Sequence, residues 1–302
     1  MVALRPLLIS ALAVILAGCA GATERKGFEE GTLPAPEPGD TPAPGPTGDF
    51  SKEPPPEAPE PPEVHEVYGH SAKTLYKLEP ATKAVTVVGE FKNCESIIDI
   101  ALDENSTLYA VSYEVLYTVD KNTAECTELH SGQYPNSLSF VPKGTIDANE
   151  EALVGYELGD YVRIDIKTGA RTVLGKLDNE VDNSRRLVSS GDIVSVKGGK
   201  TFLTVKGGNK SGCDKTDCLV EVDPKNGKMI KNWGSIEHQK VFGLSFWGGK
   251  VYGFDEKGNL FEVTFGTNKI VTTTIPIPQK PADLSFWGAG SSTSAPLVAE
   301  PQ

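Results

Sequence analysis

From position 64 onward the chain alternates apolar and polar residues in short runs broken by glycine, asparagine and aspartate, and no sustained period of 3.6 residues occurs. A period of two puts successive side chains on opposite faces of an extended backbone, so these runs predict β-strands buried on one side. The turn residues between them predict hairpins. One two-strand unit recurs at 75–83 (LYKLEPATK), 116–124 (LYTVDKNTA), 161–169 (YVRIDIKTG), 219–227 (LVEVDPKNG) and 260–268 (LFEVTFGTN), with starts 41, 45, 58 and 41 residues apart. A second, mostly apolar unit precedes these copies or follows the last, at 98–102, 136–140, 193–196, 242–246 and 282–286, and a middle strand lies between the two, as at 107–111 and 250–254.

Four short strands in roughly 45 residues is the spacing of a β-propeller blade, a unit that cannot bury its apolar face alone and must stack against its neighbours. The expected fold is therefore all-β, a propeller of five four-stranded blades spanning 64–290, with a disordered tail at 291–302. The segment Val67-Tyr68-Gly69 before the first repeat matches Val251-Tyr252-Gly253 before the last, and 282–286 is an orphan first strand. That C-terminal strand is expected to complete the N-terminal blade, closing the ring and removing two exposed sheet edges. A pair of β-sandwiches is the alternative architecture, and the 58-residue interval has room for extra strands.

Composition separates the rest of the chain from this domain. Twelve of the 22 prolines lie between Pro34 and Pro62, and the segment 20–63 carries ten acidic and three basic residues with little that is large and apolar. Such a segment cannot offset its ordering entropy by burial, so it is expected to be a disordered, Pro-rich linker. At about 3.1 Å per residue, a polyproline II conformation would reach roughly 130 Å. Over the whole chain 29 basic and 41 acidic residues leave a net charge of −12, which excludes nucleic acid and an anionic lipid surface as partners of the protein as a whole.

The first 18 residues combine a basic start at Arg5 with an apolar run from Leu7 to Ala17, too short to span a bilayer comfortably and typical of an export signal. The run ends in Leu16-Ala17-Gly18-Cys19, which resembles the lipobox of bacterial lipoproteins. The resemblance implies cleavage before Cys19, acylation of its thiol (palmitate or a similar chain) and of the new amine, and hence a membrane tether of two or three chains, enough for stable anchoring. Ala20 follows, where an aspartate often retains Gram-negative lipoproteins in the inner membrane, so the outer membrane is the expected address. The Asp-x-x-Thr/Asn-Gly turns of the repeats resemble those of quinoprotein-like and surface-layer-type propellers. The segment Val222 to Lys228 followed by Trp233 is similar to the tryptophan-docking pattern of quinoprotein dehydrogenases, but the tryptophan comes late and the other repeats lack one. That departure speaks against a quinone, and no cofactor is expected. Physically the aspartates open turns by accepting backbone amides, and glycine or asparagine closes them.

Apart from Cys19 there are four cysteines, and an even number in an exported chain reads as two disulfides. Local pairing joins Cys213 to Cys218 and leaves Cys94 with Cys126, ahead of the other two connectivities. No Cys-x-x-Cys supports zinc, and His65, His70, His130 and His238 have no ligand spacing and read as surface or turn residues. Asp103 and Asp255 begin short acidic turns without the ligand count of a calcium loop. No nucleophile elbow, P-loop or His-Glu-x-x-His occurs. Asp99 and Asp283 stand at inner strands and are candidate channel carboxylates, although chance placement among 41 acids explains them as well. Two long loops of one blade are the candidate binding loops: one holds Asp178, Asn179, Glu180, Asp182, Asn183, Arg185 and Arg186, the other Asp214, Lys215 and Asp217 between its cysteines.

Taken together, the residues point to a monomeric, non-enzymatic envelope lipoprotein whose propeller is a platform for a protein or a glycan. An exported propeller enzyme (a lyase, lactonase or glycoside hydrolase) with carboxylates in the channel is the alternative class.

Overall fold

The computed structural model describes residues 65–178, 180–277, 280 and 284–298. The leader, Cys19 and the Pro-rich segment, together with Asn179 and Asp283, lie outside the described residues.

Twenty strands form five four-stranded antiparallel sheets. Blade 1 contains β1 (Val67–His70), β2 (Thr74–Glu79) and β3 (Ala84–Glu90), and blade 2 contains β4 (Asp99–Leu102), β5 (Leu108–Val111), β6 (Val115–Val119) and β7 (Cys126–Ser131). Blade 3 is β8 (Ser139–Val141), β9 (Ala152–Glu157), β10 (Asp160–Ile164) and β11 (Arg171–Lys176). Blade 4 is β12 (Leu187–Ser195), β13 (Thr201–Gly207), β14 (Cys218–Val222) and β15 (Met229–Ser235). Blade 5 is β16 (Val241–Trp247), β17 (Lys250–Asp255), β18 (Leu260–Phe265) and β19 (Ile270–Ile275). The last strand, β20 (Gly288–Ser291), is the inner strand of blade 1, with Val67 opposite Ser291 and His70 opposite Gly288. The protein is a five-bladed β-propeller closed by its C-terminal strand.

Closure takes place six residues later than the repeat pattern predicts. The strand is 288–291, not 282–286, and Leu284 to Trp287 instead form the connection into it. Phe286 leaves the sheet and packs between blades 5 and 1, with its ring 5.1 Å from Phe254 and 6.0 Å from Tyr76.

The core is distributed in the same cyclic order. Five apolar clusters each join two successive blades, so every sheet buries one face against the next and none has a core of its own. Blade 3 is keyed into blade 4 by Tyr161, whose hydroxyl donates to the Pro224 carbonyl at 2.9 Å, and by Tyr156, whose hydroxyl donates to that of Gly227. Gly227 itself sits at φ +71°, and a methyl there would meet the Tyr161 side chain at 2.3 Å. Left-handed backbone and close approach together require glycine. Asp120, Asp165 and Asp223 open their turns as the sequence implies, each accepting the amide two residues on at 2.8–2.9 Å. Outer strands β3, β7, β11 and β15 pair through a bulge, which twists an edge and discourages pairing with another chain.

Residues 292–298, expected to fall in a disordered tail, instead form a strap across one end of the ring, here called the lower face. Ser292 donates its amide to the Glu66 carbonyl of blade 1 at 3.1 Å, and the Ser294 hydroxyl bonds to that of Glu104 in blade 2. The Thr293 hydroxyl donates to Glu151 in blade 3, and its carbonyl accepts Lys197 of blade 4 at 2.8 Å. Gly248 of blade 5 donates to Pro296 at 2.8 Å. The strap thus touches all five blades. Burial pushes the Glu151 carboxyl up to about 7, against the Thr293 hydroxyl and the Glu104 amide that hold it down.

Candidate functional site

With the lower end strapped, the connections that enter each inner strand, and those between second and third strands, make the opposite, upper face. Three features lie on it or beneath it.

The first is the axis. Asp99 and Asp192 begin or interrupt the inner strands of blades 2 and 4, both are fully buried, and their carboxyls interact with each other. The corresponding positions in the other inner strands are Ser137, Gly243 and Gly288, and Gly288 is the one that leaves room for the Asp99 carboxyl. A methyl on Gly288 would meet Asp99 Oδ1 at 2.3 Å and His70 Nε2 at 2.4 Å. Asp192 accepts the amides of Ile193 and Leu244, both at 2.6 Å, and Asp99 accepts that of Ile100 at 2.9 Å. Burial raises both carboxyls well above the usual range, and the nearby Asp192 raises Asp99 further. The pair therefore holds on to a proton at a pH where two separate, exposed carboxyls would both be ionised. His70 is fully buried beside the pair, not at the surface as the sequence implied. Its Nδ1 hydrogen-bonds with the Ser71 carbonyl at 2.9 Å, its Nε2 has no partner, and burial depresses it to about 4, so the ring is neutral. Asp255 is also buried, not a solvated turn: it pairs with His238 at 2.8 Å and caps the Asn259 amide at 2.9 Å.

The second feature is a cleft of about 820 Å³ between blades 1 and 2. Its wall is mainly the end of β3 and the β3–β4 connection, with Glu90, Phe91, Asn93, Glu95 and Ser96, and Ala72, Lys73, Tyr117 and Trp287 line it from other segments. Two residues of that connection, Asn93 (φ 59°) and Ser96 (φ 56°), hold the left-handed conformation, which costs energy for residues other than glycine and persists only where the surroundings enforce it. The enforcement is visible. The Cys94–Cys126 disulfide, with Cα atoms 5.7 Å apart, ties the connection to β7, the Cys126 amide donates to Lys92 at 2.9 Å, and Asn93 Nδ2 donates to Glu125 at 3.1 Å. The cleft is therefore preformed. Trp287 is 40% exposed in it, and Tyr113, 62% exposed, stands on the same face of blade 2.

The third feature is a notch of about 340 Å³ where the two long loops of blade 4 meet. The Gly208 and Lys210 amides donate to the carbonyls of Arg186 and Ser184, and the Cys213–Cys218 disulfide closes the second loop. Both cysteine pairs are those the spacing implied. Of the loop residues singled out from the sequence, Asn183 and Arg186 line the notch with Lys206. Others hold the loops in shape. Asp178 accepts the Leu187 amide, Glu180 that of Asp182, and Asp182 that of Ser184, while Arg185 pairs with Asp182 at 3.7 Å. Asp217 is buried and accepts the Val241 amide at 2.8 Å, whereas Asp214 and Lys215 are exposed.

The aromatic lining of the upper cleft and the partner of Asp99 escaped the sequence reading. Asp192 had a signal: the dipeptide Asp-Ile at 99–100 recurs at 192–193, one residue before the repeat unit taken to begin at Ile193.

No family model matches the chain, and no curated protein matches it. Among solved structures it is similar to a chain of a nidogen/laminin complex, with 13% identity and a TM-score of 0.45 over 78% of this chain and 100% of that one. A symmetrical protein described for its de novo evolutionary emergence gives 13% identity and a TM-score of 0.48 over 78% and 100%. A protein of unknown function from Bacteroides caccae gives 11% identity and a TM-score of 0.38 over 74% and 77%.

Proposed function

We propose that the protein is an exported, lipid-anchored binding module whose upper cleft takes a glycan of the cell envelope. The observation that carries the reading is a rigid cleft in which a half-exposed indole, Trp287, stands with Phe91 and Tyr117 among carboxylates and amides. Sugars present apolar C–H faces and a rim of hydroxyls, so they bind where flat aromatic rings alternate with planar hydrogen-bonding side chains. Two disulfides support an oxidising compartment, and the lipobox-like Leu16 to Cys19 supports a tether, with 20–63 as its spacer.

The enzymatic alternative draws its carboxylates from the axis. Asp99 and Asp192 are sealed beneath the upper face and absent from the lining of the cleft, so a substrate in the cleft does not touch them.

Probed on an array of envelope polysaccharides, the full chain is expected to bind a restricted set, and Trp287→Ala to weaken that binding by at least about tenfold, the worth of one stacked ring. Equal binding by the variant, or no glycan bound by the wild type, overturns the reading. The tether is tested separately. Cells fed an alkyne-labelled palmitate should label the wild type and not Cys19→Ser, and label on both or on neither removes the anchor from the proposal.

A further inference from the structure

The lower face carries an open pocket between blades 4 and 5, away from the glycan cleft. Its volume is about 230 Å³, and aromatic rings form most of its wall: Phe202 and Trp233 from blade 4, Phe246 and Phe265 from blade 5. The rings brace one another, with Phe202 stacked on Phe265 at 4.8 Å and Trp233 edge-on to Phe265 at 5.0 Å. A space of this size holds a single ring or a short branched chain, below the ~300–1,000 Å³ typical of drug-sized ligands.

Two polar features stand at this apolar box. Trp233 Nε1 is buried without a hydrogen-bond partner, and a buried N–H left unpaired costs free energy that a ligand acceptor would recover. Lys200 lines the box and Lys231 stands 3.4 Å from the centroid of the Trp233 ring. Lys200 is paired with Glu221 at 2.7 Å, and Lys231, opposite Glu221 in the β14–β15 ladder and just outside the lining, forms no ion pair of its own among the described residues. In a chain of net charge −12, two ammonium groups held against the ring that carries the unpaired N–H are a feature that selects for charge.

We propose that this box between blades 4 and 5 binds a small hydrophobic carboxylate, an aromatic or short branched acid, with its apolar body among the four rings and its carboxylate toward the Trp233 N–H and Lys231. An uncharged hydrophobe fills the rings but leaves the ammonium without a counter-charge, and a free anion has no use for the rings.

Calorimetric titration of the full chain with 3-phenylpropionate tests this, with 3-phenylpropionamide as the neutral isostere. The expected result is one saturable site for the acid and binding of the amide about tenfold weaker, the size of one charge-assisted contact. Lys231→Gln should erase the preference for the acid, and Trp233→Phe, which keeps a ring and removes the N–H, should weaken the acid several-fold. Cooperative thermal unfolding of both variants verifies that they fold. Trp287→Ala, in the other cleft, should leave the titration unchanged, so the two sites succeed or fail independently. No saturation by the wild type at several millimolar acid, equal binding of acid and amide, or wild-type behaviour of both box variants overturns the proposal.

Discussion

Deletion of residues 287–302 is expected to leave a chain that no longer unfolds as one cooperative unit. The deletion removes β20, which pairs along the whole of β1 and packs against the inner strands β16 and β4. It also removes the strap that hydrogen-bonds to each of the five blades. At a net ~1 kcal/mol per hydrogen bond, the β20 ladder and the strap together approach the ~5–15 kcal/mol that separates a folded domain from its unfolded chain. The loss is larger than that sum because it is topological. Without β20 the inner edge of β1 and the flank of β4 face solvent, and the apolar cluster between blades 5 and 1 loses Ala289. Urea unfolding followed by circular dichroism and by tryptophan fluorescence should show broad, non-coincident transitions with a reduced slope, where the wild type gives a single one. A synthetic peptide spanning 287–298 should restore the sharp transition. A deletion variant with wild-type slope and coincident probes would mean that the ring does not depend on its latch.

The position of that latch also marks how far the sequence can be read. Five blades, their order and their closure by the C-terminus follow from the repeats, because each blade needs the same alternation and the same turn aspartate. The register of the last strand does not. Leu-Ser-Phe-Trp-Gly occurs twice, at 244–248 and 284–288; in blade 5 its first four residues lie in β16, yet near the C-terminus they are the approach to β20. What separates the copies is the space at the axis, where His70 and Asp99 already crowd Gly288. Only the small residues Gly288, Ala289, Gly290 and Ser291 fit as the fifth inner strand, and Phe286 is displaced to the blade interface. Periodicity is local, and it carries no information about which side chains from other blades have filled the centre.

The same limit applies to the candidate site. The paired cysteines were legible because exported cysteines pair and one pair is local. Asn183 and Arg186 were found through loop length, since long loops on a rigid ring meet at its face. The cleft of Phe91, Tyr117 and Trp287 was not, because its rings come from one strand and two connections, with Trp287 more than 150 positions from the other two, and only ring closure brings Trp287 beside Phe91. Asp99 is a candidate channel carboxylate in the sequence, but Asp192 is not, and a lone carboxylate and a paired one have different chemistry.

That difference gives the second large effect. Asp192→Ala is expected to destabilise the protein by about 2–5 kcal/mol, the cost of leaving two buried amides without an acceptor, or roughly 10 °C in Tm for a ring of this size. The Ile193 and Leu244 amides lose their acceptor in a dry interior, and Asp99 loses the carboxyl it shares a proton with. Asp99→Asn is expected to stay within ~1 kcal/mol of the wild type near pH 4, because an amide reproduces a protonated carboxyl: its oxygen accepts the Ile100 amide, and its NH2 takes the place of the Oδ2 that has no hydrogen-bond partner. The pair also sets a pH dependence whose sign is fixed. Asp99 is raised in the folded state, so above the unfolded value of 3.8 the folded chain holds a proton that the unfolded chain has released, and stability falls as pH rises until the folded group also ionises. Glu151, raised to about 7, acts in the same direction between its unfolded 4.5 and 7. His70, depressed to about 4, acts the other way between 4 and 6.5, since its neutral buried ring stabilises the fold only where the unfolded histidine is also neutral. Both of these contributions are common to the wild type and Asp99→Asn, so the difference in Tm between the two isolates the axial proton. That difference should grow in favour of the variant from pH 4 to pH 8, and a difference that is flat across this range, or that shrinks, would show that Asp99 enters the fold already ionised.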